Sequence, residues 1–171
     1  GIPGRDRPFV AGVFGDVSAA EIAAAVDEAG LDGVQLHGIS SLGGDEVRRA
    51  VGSRERPLLI IRAVPVDLDA TDPELLRTRV AEARAEADVV LLDTRAAGRF
   101  GGTGLSFTWS LARHVDDGLP LLVAGGIGPD NVRTALRQSG AWGVDVSSGV
   151  EQAPGIKDGV LMERLFAEAG A

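Results

Sequence analysis

Short apolar runs alternate along the chain with stretches whose apolar residues recur at helical spacing. Phe9 to Phe14 is an apolar run bounded by turn signals, which predicts a buried strand. Ser18-Ala-Ala-Glu21 is a capping box, Ile22, Ala25, Val26 and Ala29 form one helix face, and Gly30 closes that helix. Gly33 to Gly38 reads as a second strand, and Asp45 to Val51 as a short helix. Pro57 to Val64 is a continuous buried strand. Asp72 as a cap with Pro73 at the first helical position opens a helix that the pattern carries to about Ala87. Asp88 to Thr94 is a fourth strand, followed by a Gly-rich loop over Arg95 to Gly104 and a helix over Phe107 to Val115. Leu119 to Gly126, a helix opened by Pro129-Asp-Asn131 and closed by Gly140, a strand over Trp142 to Ser148 and a helix over Asp158 to Ala169 complete the chain. Leu161, Met162, Leu165 and Phe166 share one face of that last helix.

Strands without polar alternation, separated by amphipathic helices, predict an α/β protein whose parallel sheet is covered by helices. No shift of composition marks a boundary, so residues 1–171 read as a single domain. Two architectures fit, an open doubly wound sheet and a (β/α)8 barrel. A dinucleotide-binding open sheet wants G-x-G-x-x-G directly after an early strand, and none stands there. The predicted strand ends instead carry His37, Arg62, Asp93, Gly125-Gly126, Asp145 and Ser147-Ser148, with His37, Arg62 and Asp145 as the candidate substrate contacts. Polar and small residues at the C-terminal tips of apolar strands are the barrel arrangement, so a TIM barrel is expected. Six strand–helix units are two short of eight.

Composition narrows the chemistry. A formal net charge of −8 argues against nucleic acid and anionic membrane as partners. No apolar run reaches the ~20 residues of a membrane span, and no signal peptide pattern is present, so a cytoplasmic protein is expected. Cysteine is absent, which removes disulfides, thiolate metal sites and a cysteine base together. The two histidines are isolated, and no metal site is expected. The chain opens Gly-Ile-Pro-Gly rather than with Met, as a processed chain or a fragment would.

The most informative stretch runs from Gly143 to Asp158. Val144 and Val146 alternate with Asp145 and Ser147, then Ser147-Ser148-Gly149 forms a small-residue turn, then a helix begins. Strand, small polar turn and helix N-terminus make the local plan of a phosphate site. A second such turn at Gly125-Gly126 follows the neighbouring strand, and two together favour a phosphate over mere strand-to-helix turning. Asp93 ends an apolar strand, where desolvation suits a general acid; a capping or salt-bridged aspartate fits the same pattern. The loop after it reads as a lid over ligand. Asp145 points away from Val144 and Val146 into a barrel interior, to meet ligand or a partner such as Arg62. His37 suits a substrate contact and a structural role equally. Trp109 and Trp142 suit packing.

Gln35-Leu-His-Gly38, Leu91-Leu-Asp-Thr94, Gly101-Gly-Thr-Gly104 with Phe107 and Trp109, Ala124-Gly-Gly126 with Pro129 and Asn131, and Gly143 to Glu151 with Pro154 to Asp158 resemble phosphoribosylanthranilate isomerase. Five motifs in the family's order cover essentially the whole chain. The resemblance implies an intramolecular Amadori rearrangement in tryptophan biosynthesis, with a phosphorylated small molecule as substrate and no cofactor. A general acid protonates the ribose ring oxygen of N-(5-phosphoribosyl)anthranilate, a general base removes the C2 proton, and the enolamine tautomerises to the 1-deoxyribulose 5-phosphate product. Asp93 matches the acid; Gly125, Gly126, Ser147 and Ser148, with Gly149, match the phosphate loops. Asp145 matches a substrate-orienting carboxylate, and His37 a residue of the rim.

The departures carry equal weight. The family's first strand ends in Lys-Ile-Cys-Gly, whose cysteine is the base, and this chain has no cysteine. Phe9 to Phe14 resembles the family's third strand, so the first two strand–helix units are expected to be missing, with a second-strand arginine that meets the anthranilate carboxylate. Thr108 replaces the usual aspartate between Phe and Trp. The chain as given is expected to be a truncated isomerase with little or no activity; the alternative is a barrel remnant that binds a phosphorylated ligand or a partner without catalysis. A relative of indoleglycerol phosphate synthase fits less well, since the catalytic lysine and glutamate it wants on its strands are absent. Unpaired strand edges predict association through them.

Overall fold

The computed structural model describes residues 7–38, 42–67, 72–95, 109–115 and 117–170. Its strands are β1 (Ala11–Phe14), β2 (Gly33–Leu36), β3 (Leu59–Asp67), β4 (Val89–Arg95), β5 (Leu121–Ala124) and β6 (Gly143–Val144), with a hairpin of β7 (Glu151–Ala153) and β8 (Ile156–Lys157). Its helices are α1 (Ala19–Ala29), α2 (Gly44–Val51), α3 (Pro73–Arg84), α4 (Val132–Ser139) and α5 (Gly159–Ala169). The sheet order is β1-β2-β3-β4-β5-β6. The pairs β1–β2, β2–β3 and β5–β6 are parallel. An order that never reverses is the winding of a βα barrel; a doubly wound sheet reverses at a switch point. Among the described residues no helix is long and apolar enough to cross a membrane.

The chain divides into two compact units, one of residues 1–63 and 81–90, the other of residues 64–80 and 91–171. The first unit is built on α1 and α2. The capping box forms as the sequence predicts: Ser18 Oγ accepts from Glu21 N, and Glu21 Oε2 accepts from Ser18 N at 2.9 Å. Gly30 ends α1 in the left-handed conformation, with φ 61°. Ile22 and Val26 of α1, Val34 and Leu36 of β2, Val47 of α2 and Ile60 of β3 are buried in one cluster. Complete burial of such side chains contributes about 1.5–3 kcal/mol each. Gly44 permits α2 to approach, because a Cβ there would collide with the Glu86 carbonyl oxygen.

In the second unit Asp72 caps α3 as expected, its Oδ1 accepting from Glu74 N at 2.7 Å. Trp109, Leu111, Val115, Val123, Val132 and Ala135 are each buried. Residues 109–111 are helical and lead into a 3₁₀ turn, Ala112–Val115. The Gly-rich loop after β4, together with Phe107 and Thr108, lies outside the described residues.

Several expectations need correction. The run Phe9–Phe14 is not a buried strand: only Ala11–Phe14 is strand, and Val13 is 66% exposed, because β1 stands at one end of the sheet order. The expected start at Pro129-Asp-Asn131 falls at its last residue: Asn131 is the N-cap of α4, which begins at Val132, and its side chain turns back to accept from Gly128 N. The sixth strand contracts to Gly143–Val144, and Trp142 is largely exposed rather than packed into a wall. No residue of α5 is buried; Leu161 and Leu165 are half-buried while Phe166 is 57% exposed.

Candidate functional site

Two glycine-bearing loops of the second unit are pressed together. After β5, Gly125 and Gly126 both adopt positive φ, 95° and 63°. Asn131 folds back over this turn, its Oδ1 accepting from Gly128 N and its Nδ2 donating to the Gly126 carbonyl, both at 2.8 Å. After β6, Gly149 lies so near this turn that a Cβ would collide with the Ile127 carbonyl oxygen and sit 3.0 Å from Gly128 Cα. Only hydrogen fits there, so glycine is required by contact rather than by φ.

The space beside the two loops is a cavity of about 170 Å³. Asp93 enters it from β4, residues Ala124 to Ile127 from the β5 loop, and Asp145, Ser147, Ser148 and Gly149 from the segment after β6. Asp93 is half-buried behind the buried Leu91 and Leu92. Asp145 is exposed, not enclosed in an interior, and its backbone N–H donates to the Val123 carbonyl at 2.9 Å. That bond continues the β5–β6 pairing one step past the strand and delivers Asp145 and the serines to the cavity. Its lining combines two carboxylates, two exposed hydroxyls and side-chain-free backbone, which suits a small polar ligand with an anionic group.

The route from Ser147 to the last helix differs from the expected plan. Ser148–Val150 is a 3₁₀ turn, and the β7–β8 hairpin follows before α5 begins at Gly159. The N-terminal amides of α5 are occupied, because Asp158 Oδ1 accepts from Val160 N at 2.8 Å and Leu161 N at 3.1 Å. Those two amides are therefore capped from within the chain.

Arg62, expected among the substrate contacts and as a partner for Asp145, is committed elsewhere. Its buried guanidinium donates to Glu86 Oε1 at 2.6 and 3.1 Å and to the Leu42 carbonyl at 2.5 Å. It does not line the cavity. On β3 it points with the residues that pack on helices, a parity that the unbroken apolar run Leu58–Ile61 conceals. His37, at the end of β2 in the first unit, is half-buried and donates its backbone N–H to the Phe14 carbonyl at 2.8 Å.

Asn131 stands at the predicted helix start, but its side-chain bridge across the β5 loop is not legible from that position. Lys157 has no expected role in the sequence, and its Nζ donates to the Ser147 carbonyl at 2.8 Å, to Ser147 Oγ at 3.3 Å and to Glu151 Oε1 at 2.7 Å. The available signal was Pro154-Gly155 between two short extended stretches, the pair a type II turn asks for; Gly155 has φ 79°.

The family of N-(5'-phosphoribosyl)anthranilate (PRA) isomerase matches residues 3–168. The chain belongs to this family. The PRA isomerase of Rubrobacter xylanophilus is 39% identical over 158 residues, covering 92% of this chain and 71% of that protein. The PRA isomerase structure from Pyrococcus furiosus superposes with a TM-score of 0.72 at 29% identity, covering 95% of this chain and 74% of that one. A solved PRA isomerase in complex with reduced 1-(o-carboxyphenylamino)-1-deoxyribulose 5-phosphate is 28% identical, with a TM-score of 0.69, covering 96% of this chain and 74% of that one. The α/β fold with its six-stranded sheet is thus that of the PRA isomerases, and the chain spans about seven-tenths of their length.

Proposed function

We propose that this chain carries the phosphate-binding and proton-donating side of a PRA isomerase site in tryptophan biosynthesis. One observation carries the reading: Asp93, Gly125-Gly126 and Asp145 with Ser147-Ser148, from the ends of three different strands, line one cavity in a chain of this family. In this reading Gly125, Gly126, Ser147, Ser148 and Gly149 hold the 5'-phosphate of the phosphoribosyl amine. Asp93 donates a proton to the ribose ring oxygen, so that the C1–O bond opens to a Schiff base. Asp145 orients the substrate, and His37 belongs to the rim. Strands β1 to β6 correspond to the third to eighth strands of a single barrel domain, which accounts for the coverage of the relatives.

The next step removes the C2 proton of the Schiff base, and the family's cysteine for that step has no counterpart among these 171 residues. The chain as given therefore binds phosphorylated ligand without turning it over. Purified 171-residue protein is tested in two assays. Calorimetry with reduced 1-(o-carboxyphenylamino)-1-deoxyribulose 5-phosphate is expected to show binding that Ser147→Ala weakens. Fluorescence of N-(5'-phosphoribosyl)anthranilate is expected to decay no faster than in buffer. Absence of binding overturns the site; turnover near ordinary enzyme rates overturns the inactivity.

A further inference from the structure

We propose that Lys157 is the positioning residue of the anion site, holding Ser147 so that its hydroxyl proton is presented to a phosphate-monoester oxygen. The inference rests on the phosphate reading of the cavity and deepens it.

An ammonium has three N–H donors. Those of Lys157 are matched by three acceptors, the Ser147 carbonyl, Ser147 Oγ and Glu151 Oε1. No donor is left over for a ligand, so Lys157 acts through Ser147. The Ser147 hydroxyl has one proton, and while its oxygen accepts from Lys157 that proton is available to donate. Ser147 is exposed and lines the cavity beside Gly125 and Gly126.

The β7–β8 hairpin is the bracket that makes this possible. Glu151 stands directly opposite Lys157 in the antiparallel pair, which brings both side chains to one face. Glu151 is anchored a second time by the Gly155 N–H, at 3.3 Å to Oε2. The hydrogen bond from Lys157, with that from Gly155, holds the Glu151 carboxyl below its ordinary range. The ammonium is thus returned to residue 147, ten positions back along the chain.

Composition makes the choice of residue informative. Of the 17 Lys and Arg residues, 16 are arginine and Lys157 is the one lysine. A guanidinium is a planar fork, whereas these three acceptors surround a single nitrogen.

The test titrates inorganic phosphate into the full chain and its variants by calorimetry, with thermal melts to verify folding. Lys157→Met and Ser147→Ala are each expected to weaken phosphate about tenfold, and the double variant to be little worse than either, since the two act as a unit. Lys157→Arg keeps the charge and is expected to lose about fivefold. Undiminished binding in Lys157→Arg, or additive losses in the double variant, overturns positioning in favour of simple charge attraction. If Lys157→Met fails to fold, nitrogen-detected NMR of the wild type decides, because one lysine gives one side-chain ammonium signal. That signal is expected to persist in slow exchange on phosphate addition while the Ser147 amide moves; direct broadening of the ammonium by phosphate overturns the inference. A wild type that binds no phosphate overturns the reading of the cavity itself, and the inference with it.

Discussion

Gly149 and the Ile127 carbonyl are in such close apposition that no side chain fits between them. This contact joins the β5 loop to the β6 loop. A Gly149→Ala change must force the loops apart against backbone, at a cost of about 1–3 kcal/mol. Phosphate affinity is expected to fall about tenfold or more. Gly159→Ala, where a Cβ meets nothing within 4 Å and the residue is helical, is the comparison. It is expected to raise stability by up to ~1 kcal/mol. Denaturant melts of the two variants measure the difference.

Asn131 both donates and accepts across its loop. Asn131→Asp keeps the acceptor for the Gly128 N–H and loses the donor to the Gly126 carbonyl. Loss of about 1 kcal/mol of stability is expected, and more for Asn131→Ala, which loses both bonds. Thermal melts and phosphate titration of the pair should rank wild type, Asp, Ala.

The Arg62–Glu86 pair belongs to folding. Arg62 is the more enclosed partner, its side chain 10% exposed against 31% for Glu86. Glu86→Ala leaves a buried cation and is expected to cost about 3 kcal/mol. Arg62→Met leaves a carboxylate that water can reach and is expected to cost less. Phosphate affinity of folded Arg62→Met should match the wild type; a loss there would return Arg62 to the binding site.

Two carboxyls tie stability to acid. Glu151 is depressed chiefly by the Lys157 hydrogen bond, and Glu21 by its hydrogen bonds to the Ser18 side chain and backbone. Unfolding raises both toward the ordinary glutamate value of about 4.3. Their contribution is therefore complete above that value and is lost as pH falls through the lower folded values. Melting temperature should decline below about pH 4.3, and the decline should be shallower in Glu151→Gln. Equal slopes would contradict the assignment.

The exposed Val13 stands on β1, the strand that ends the sheet order, and the exposed Val10 lies just before it. Such an edge templates pairing with another chain. Light scattering is expected to show mass rising with concentration, and Val13→Lys to suppress that rise. A monomer at all concentrations would exclude edge association.

Features decided by near neighbours are legible along the chain itself. Ser18 with Glu21, Gly30, Asp72 and Asp158 set helix ends through bonds spanning a few residues, and each appears as read. Strand period and turn composition are local too, so the residue types that line the cavity from the ends of β4, β5 and β6 and the turns after them are readable along the chain. Which distant groups meet is settled by packing. Arg62 turns to Glu86, 24 positions on, and Gly149 meets Ile127, 22 positions back. Trp142 stays exposed, and Lys157 reaches Ser147 through a hairpin. Those outcomes depend on loop closure and on which face a strand presents, and neither quantity is carried by periodicity alone.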